Sequence, residues 1–135
     1  MSRPYLRAYM AGVSFPTFFL MLGFAAFMVA QRCFEIPVII ERAIVFPLAF
    51  VPNVWGFWNM VHLRIAQSRV RWPIGAHGAI VPLILVPLAY AVAREAGIVY
   101  FTWAVFAVTW PGLIVMYYLV WKYIVNFLNE TLGVA

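Results

Sequence analysis

Four long stretches without Asp, Glu, Lys or Arg dominate this sequence and leave little room for any other kind of structure. They cover residues 8–30, 43–61, 74–93 and 96–121. Since a helix rises 1.5 Å per residue, about 20 apolar residues cross a bilayer core of about 30 Å. Each stretch is close to that length, which predicts a transmembrane helix in each.

The composition supports an all-α integral membrane protein. Hydrophobic residues make up 67% of the chain and charged residues 10%, against about 25% charged residues in ordinary soluble domains. A soluble domain of this size could not bury so much apolar surface. We therefore expect one transmembrane domain over residues 1–135. The predicted spans are at about residues 8–31, 40–63, 74–93 and 96–124.

The basic residues predict the topology. If the chain begins in the cytoplasm, most of the Lys and Arg residues fall on the cytoplasmic side, as the positive-inside rule requires. Those residues are Arg3, Arg7, Arg64, Arg69, Arg71 and Lys122, whereas Arg32, Arg42 and Arg94 fall outside. This pattern predicts a bacterial-type inner membrane protein with both termini cytoplasmic. The sequence has no Lys/Arg-rich run of the kind that indicates a nucleic-acid partner.

The connections between the spans are short, so successive helices are expected to be antiparallel neighbours in a four-helix bundle. Every span contains proline, which removes a backbone donor and requires neighbouring groups to cover the freed carbonyl. Small residues on one face of the first span predict close packing against another helix, either within the chain or across a subunit boundary. They are Ala8, Gly12, Gly23, Ala26 and Ala30.

Trp and Tyr side chains near the proposed cytoplasmic boundary suggest an interfacial aromatic belt. The residues in question are Trp55, Trp58, Trp72, Trp121 and Tyr123.

Polar residues concentrate around the second and third spans, where we place the candidate functional residues Asn53, Asn59, His62 and His77. Three interpretations remain open. The amides could bond between helices, with both histidines at the interface. The cluster could line a path for an anion, a lipid head group or a proton. Alternatively, His62 and His77 could ligate haem, although two histidines without a spacing motif are weak candidates.

The loop between these two spans carries Arg64, Arg69 and Arg71. Each basic side chain near an anionic membrane surface contributes about 1 kcal/mol of attraction. The three arginines are therefore candidates for binding anionic lipid head groups.

No enzymatic signature is present. The four uncharged stretches contain no carboxylate, and the sequence has no GxSxG, HExxH, P-loop or CxxC motif. The sequence favours a non-enzymatic protein without a cofactor, which acts in an oligomer as a pore or transporter, or as an accessory subunit of a membrane complex. The alternatives are a haem- or quinone-binding anchor subunit of an electron-transfer complex and a lipid-binding protein.

Overall fold

A computed structural model describes residues 3–35, 46–68, 72–95 and 103–134. These residues form helices and, within those ranges, no β-strand. The helices are α1 (Pro4–Phe34), α2 (Phe46–Ala66), α3 (Ile74–Glu95), α4 (Trp103–Val120), a π-helical turn (Trp121–Val125) and α5 (Asn126–Thr131). The π-turn and α5 continue directly from α4.

Prolines lie inside all four long helices, as the sequence predicted. They are Pro16, Pro52, Pro82, Pro87 and Pro111. Pro4 stands in the first turn of α1, where a missing backbone N–H costs nothing because that donor has no intrahelical partner. The opposite end of α1 stops at Glu35, whose left-handed backbone with a φ of 50° breaks the helical repeat.

Three helical stretches in the described ranges are long and apolar enough to cross a membrane. They are Pro4–Phe34, Ile74–Ala91 and Ala107–Thr131. The prediction of membrane-spanning helices is therefore supported for three of the four spans. α2 is not among the stretches that meet these criteria.

The first and third predicted spans fall within single helices. Residues 8–31 lie inside α1 and residues 74–93 lie inside α3. The last helix continues to Thr131, beyond the predicted end at residue 124. Residues 40–45 of the second predicted span and 96–102 of the fourth lie outside the described residues.

The helices pack as two antiparallel hairpins that share one well-packed end. α1 packs along α2 and α3 along α4, while α2 also contacts α3, and α1 also contacts the π-turn and α5. We call this shared region the closed end. It comprises the first half of α1, the second half of α2, the first half of α3, and the chain from Tyr117 to Asn129.

Glycines allow the closest helix crossings at the closed end. A Cβ on Gly12 would stand 2.6 Å from the Trp55 carbonyl oxygen and 2.9 Å from the Gly56 Cα. A Cβ on Gly78 would collide with the Trp121 side chain. Small residues thus bring the backbones together, as membrane helices require.

Only the first half of the small-residue face of α1 packs against another described helix. Ala8 and Gly12 are buried. No described atom lies within 4 Å of a Cβ built on Gly23, and Ala26 is exposed. No helix of the described chain therefore packs on the second half of this face, and packing there against another subunit stays a prediction.

Candidate functional site

Large aromatic side chains fill the centre of the closed end. Trp55 is 3% exposed and Trp121 is fully buried, and their ring centroids are 5.6 Å apart. Tyr117 packs on Trp55 at 4.9 Å. Val81 and Leu85 of α3 complete this cluster. The helices therefore meet on a solid core with no space between these rings for a path.

The aromatic residues near the proposed cytoplasmic boundary do not form one belt. Trp55 and Trp121 are core residues, so the prediction that they belong to an interfacial belt is wrong. Trp72 and Tyr123 are 53% and 61% exposed, which fits an interfacial position. The Lys122 ammonium lies 5.2 Å from the Tyr123 ring centroid, a cation–π distance.

Asn59 ties three helices together at the closed end. Its Nδ2 donates to the Ala8 carbonyl of α1 and to Asn129 Oδ1 of α5, both at 2.7 Å. The Asn129 Nδ2 donates back to Asn59 Oδ1 at 3.1 Å. Asn59 is fully buried and Asn129 is 4% exposed. We call this group the asparagine clamp: Asn59, Asn129 and the Ala8 carbonyl.

The π-turn explains how Asn129 reaches this position. Tyr117, Trp121, Val125 and Asn129 are all buried at a constant spacing of four residues. In a regular α-helix each step of four residues overshoots a full turn by about 40°, so the stripe would rotate away from the core. The wider π-turn over Trp121–Val125 reduces that drift. The π-turn thus keeps the residues of the aromatic core and of the clamp on one face of the helix.

Sequence reasoning missed Asn129 because the predicted fourth span ended before it. The sequence signal that could have identified Asn129 is the repeat of large or polar side chains every four residues, which continues past Trp121. The carbonyls that proline frees in each span were one possible partner for the Asn59 amide. Ala8 is not such a carbonyl, because Pro16 frees the carbonyl four residues before it, at Gly12.

Asn53 lies apart from the clamp, although it is on the same helix as Asn59. It is exposed, and its Oδ1 accepts a hydrogen bond from the Tyr9 hydroxyl of α1. Asn53 therefore contributes to the outer surface of the α1–α2 pair. The structure does not bring it together with the two histidines.

His62 and His77 do lie together, between α2 and α3. Their ring centroids are 4.5 Å apart and the ring planes meet at 69°, an edge-to-face contact. His77 is 2% exposed, and neither of its ring nitrogens has a hydrogen-bond partner among the described residues. The same holds for His62 Nδ1. We call these two residues the histidine pair.

Two tryptophans surround the histidine pair. Trp58 Nε1 donates to the His77 carbonyl at 2.8 Å, which fixes the backbone of α3 against α2. The exposed Trp72 ring lies 6.0 Å from the His77 ring, at the solvent side. His77 is therefore buried and His62 half-buried, next to the loop that joins α2 and α3.

Of the three arginine candidates, only Arg64 lies among the described residues. Arg64 is exposed at the end of α2, where it can meet a head group or solvent. Arg69 and Arg71 lie outside the described residues. Lipid binding by this group stays a prediction.

The histidine pair does not fit a haem. Two imidazoles on opposite faces of one haem have their centroids about 6 Å apart, since each metal–nitrogen bond is about 2 Å long. At 4.5 Å the two rings touch each other and leave no room for a porphyrin. Among the residues that the structure describes, no group of three His, Cys, Asp or Glu side chains could hold a metal ion.

Comparison with known protein families, curated proteins and solved structures finds no match for this chain. Two polar features of the described residues remain as candidates for a functional role. The asparagine clamp satisfies its own hydrogen bonds and holds helices together. The histidine pair has unused ring nitrogens and could bind something else.

Proposed function

We propose that this chain is a four-span membrane subunit that works in an oligomer or in a larger membrane complex, and that it does not form a pore alone. The observation that carries this proposal is the filled interior of the closed end. Trp55 contacts both Tyr117 and Trp121 where a path through a single bundle would have to run. A transport path would therefore run between copies or between this chain and a partner.

The exposed surface supports an assembly. In the second half of α1, Phe18, Phe19 and Met21 are each at least 60% exposed. Gly23, on the same stretch, has no described atom within 4 Å of its built Cβ. Because close approach at small residues drives much of helix association in membranes, this stretch is suited to lipid or to a helix of another subunit.

The clamp supports α2 as the fourth span. A polar side chain makes a helix unsuited to the membrane when it faces lipid without a hydrogen-bond partner. Asn59 instead faces α1 and α5 and is fully buried. α2 can therefore cross the membrane surrounded by the other helices.

The clamp also supports placing both chain ends on one side of the membrane, since Ala8 and Asn129 meet at the same end of the bundle. The excess of basic residues at this end then favours the cytoplasm, in a bacterial-type inner membrane.

Native mass spectrometry in mild detergent and in lipid nanodiscs tests the assembly. We expect masses at a fixed multiple of the 15.4 kDa chain, or a complex with a partner. A 15.4 kDa species alone under both conditions would contradict the proposal. Lipids retained in the same spectra would test the lipid-binding alternative, since head groups held by Arg64 and its neighbours would be anionic.

A flux assay in liposomes tests the transport version of the proposal. His62→Ala is expected to change flux without changing the copy number, because His62 is only half-buried and can therefore reach a path at the surface of the bundle. Asn126→Ala is the matched control, since Asn126 bonds Glu130 on its own helix. Equal flux in the wild type, His62→Ala and empty liposomes would leave only the accessory-subunit version.

A further inference from the structure

We propose that the histidine pair is a pH switch. While both rings are neutral, their contact holds α2 against α3, and in acid the rings separate and expose the loop side of the closed end to water. The proposal does not depend on the assembly proposed above. It rests on the contact between the rings, on the burial of His77 and on the helices that the two residues join.

The two rings connect one helical hairpin to the other. His62 lies near the end of α2 and His77 in the first turn of α3. Because α2 packs mainly along α1 and α3 along α4, the ring contact lies between the two hairpins. The nearby bond from Trp58 Nε1 to the His77 carbonyl involves neither imidazole. A change in the charge of the rings therefore acts directly on the contact between the hairpins.

The observed contact fits two neutral rings. Their centroids are 4.5 Å apart, and His77 is 2% exposed. Burial disfavours a charged imidazole, because it removes the water that would stabilise the charge. Two charged rings in contact would also repel each other. Acid therefore charges the pair only if the rings separate and reach water.

The charged groups around the pair do not stabilise a positive ring. Among the described residues, His77 is the titratable group whose charge acts on His62. The four basic side chains at this end would add to the repulsion, and the one acid, Glu130, is exposed and accepts a hydrogen bond on its own helix. Tyrosine is uncharged at neutral and acidic pH. The basic side chains are Arg3, Arg7, Arg64 and Lys122, to which the loop adds Arg69 and Arg71.

Protons reach the pair from the aqueous phase at the loop. His62 is half-buried near the end of α2. Trp72, whose ring lies 6.0 Å from that of His77, is 53% exposed. His62 takes up one proton at a ring nitrogen and turns toward water. Its departure opens His77 to water and to a second proton, and repulsion between the two charges then keeps the rings apart.

The sign and the size of the effect follow from proton binding. The separated form binds protons that the closed form does not, so a lower pH favours separation. An imidazole in water has a pKa of about 6.5, so the contact is at full strength above that pH and weakens below it. From pH 8 to pH 5 the ratio of separated to closed molecules rises about 30-fold for each histidine that is charged only in the separated form.

Nuclear magnetic resonance of the full chain in detergent, purified through a tag without histidine, tests the switch. The chain has two histidines, so selective carbon-13 labelling gives two ring signals, and His62→Gln assigns them. A water-soluble gadolinium chelate broadens the signals of exposed rings. We expect it to leave the His77 signal sharp at pH 8 and to broaden it at pH 5, where both chemical shifts also become those of charged imidazole.

Phenylalanine at both positions keeps two aromatic rings at the contact but removes the charge. We expect the Tm of the wild type to fall between pH 8 and pH 5, and that of the His62→Phe/His77→Phe variant to change much less. Asn53→Gln, at the surface of α2, is the control and should follow the wild type. If the double variant does not fold, the half-buried His62→Phe alone carries the test, with a smaller fall in Tm than the wild type.

A His77 signal that stays sharp and neutral at pH 5 in the folded chain would overturn the proposal. So would charging of both rings at pH 5 while nuclear Overhauser effects still show them in contact. An equal fall in Tm in the wild type and His62→Phe would assign the pH dependence to other groups and overturn it as well.

Discussion

Removing either side chain of the asparagine clamp is expected to destabilise the closed end. The losses in free energy of unfolding from the two substitutions should not be additive. Asn59→Ala removes the bond to Ala8 and both bonds to Asn129, whereas Asn129→Ala removes only the latter two. Hydrogen bonds between membrane helices contribute about 0.6 kcal/mol on average and up to about 1.7 kcal/mol.

These values set the expected magnitudes. Asn59→Ala should lower the free energy of unfolding by about 2 kcal/mol, and Asn129→Ala by about 1 kcal/mol. The double variant loses the same bonds as Asn59→Ala, so it should also lose about 2 kcal/mol. The coupling energy between the two positions is then about 1 kcal/mol, which a double-mutant cycle can resolve.

Reversible unfolding in mixed micelles with increasing SDS, followed by circular dichroism, measures these energies. Asn53→Ala is the matched control, because it removes a surface bond to Tyr9 from the same helix. Its effect should stay below about 0.6 kcal/mol. The reasoning is refuted if the losses of the two single variants add in the double variant to within about 0.3–0.5 kcal/mol. Such additivity would mean that the two amides do not bond.

Other substitutions test the packing and the topology. Gly12→Leu should cost about 1–3 kcal/mol because its side chain meets the backbone of α2, whereas Gly23→Leu, in open space among the described atoms, should unfold as the wild type does. Gly78→Ala should lower the free energy of unfolding by about 1–3 kcal/mol in the same assay because its Cβ meets Trp121, and an effect no larger than that of Gly112→Ala would contradict this crossing. The single cysteine, Cys33, at the opposite end of α1 from the clamp, should react with a membrane-impermeant maleimide added outside intact cells; labelling only after lysis would reverse the proposed topology.

Hydropathy and spacing were enough to predict the helices and the neighbourhood of the histidines. The apolar stretches gave α1 and α3 with small errors at their ends. The short connection between the second and third spans places His62 and His77 at the same end of two antiparallel neighbours. The structure shows that their rings are in contact there.

The asparagine clamp could not be predicted in this way. Asn129 pairs with a residue 70 positions earlier, and its inward position depends on the π-turn, which hydropathy does not encode. Nor could composition separate the buried Trp55 and Trp121 from the exposed Trp72, because burial of an aromatic ring depends on which helices meet around it. The sequence therefore predicted the spans better than their contacts.

The long separation between Asn59 and Asn129 has a consequence for biosynthesis. At a synthesis rate of about 5–20 residues per second, a gap of 70 residues means that Asn59 is made about 4–14 s before its partner. During that interval the Asn59 amide can bond only the Ala8 carbonyl of α1, and the groups that later meet Asn129 have to be satisfied by water, by the translocation channel or by another protein. Integration of α2 is thus expected to finish only after α5 has been made, so that the order of membrane insertion differs from the order of translation.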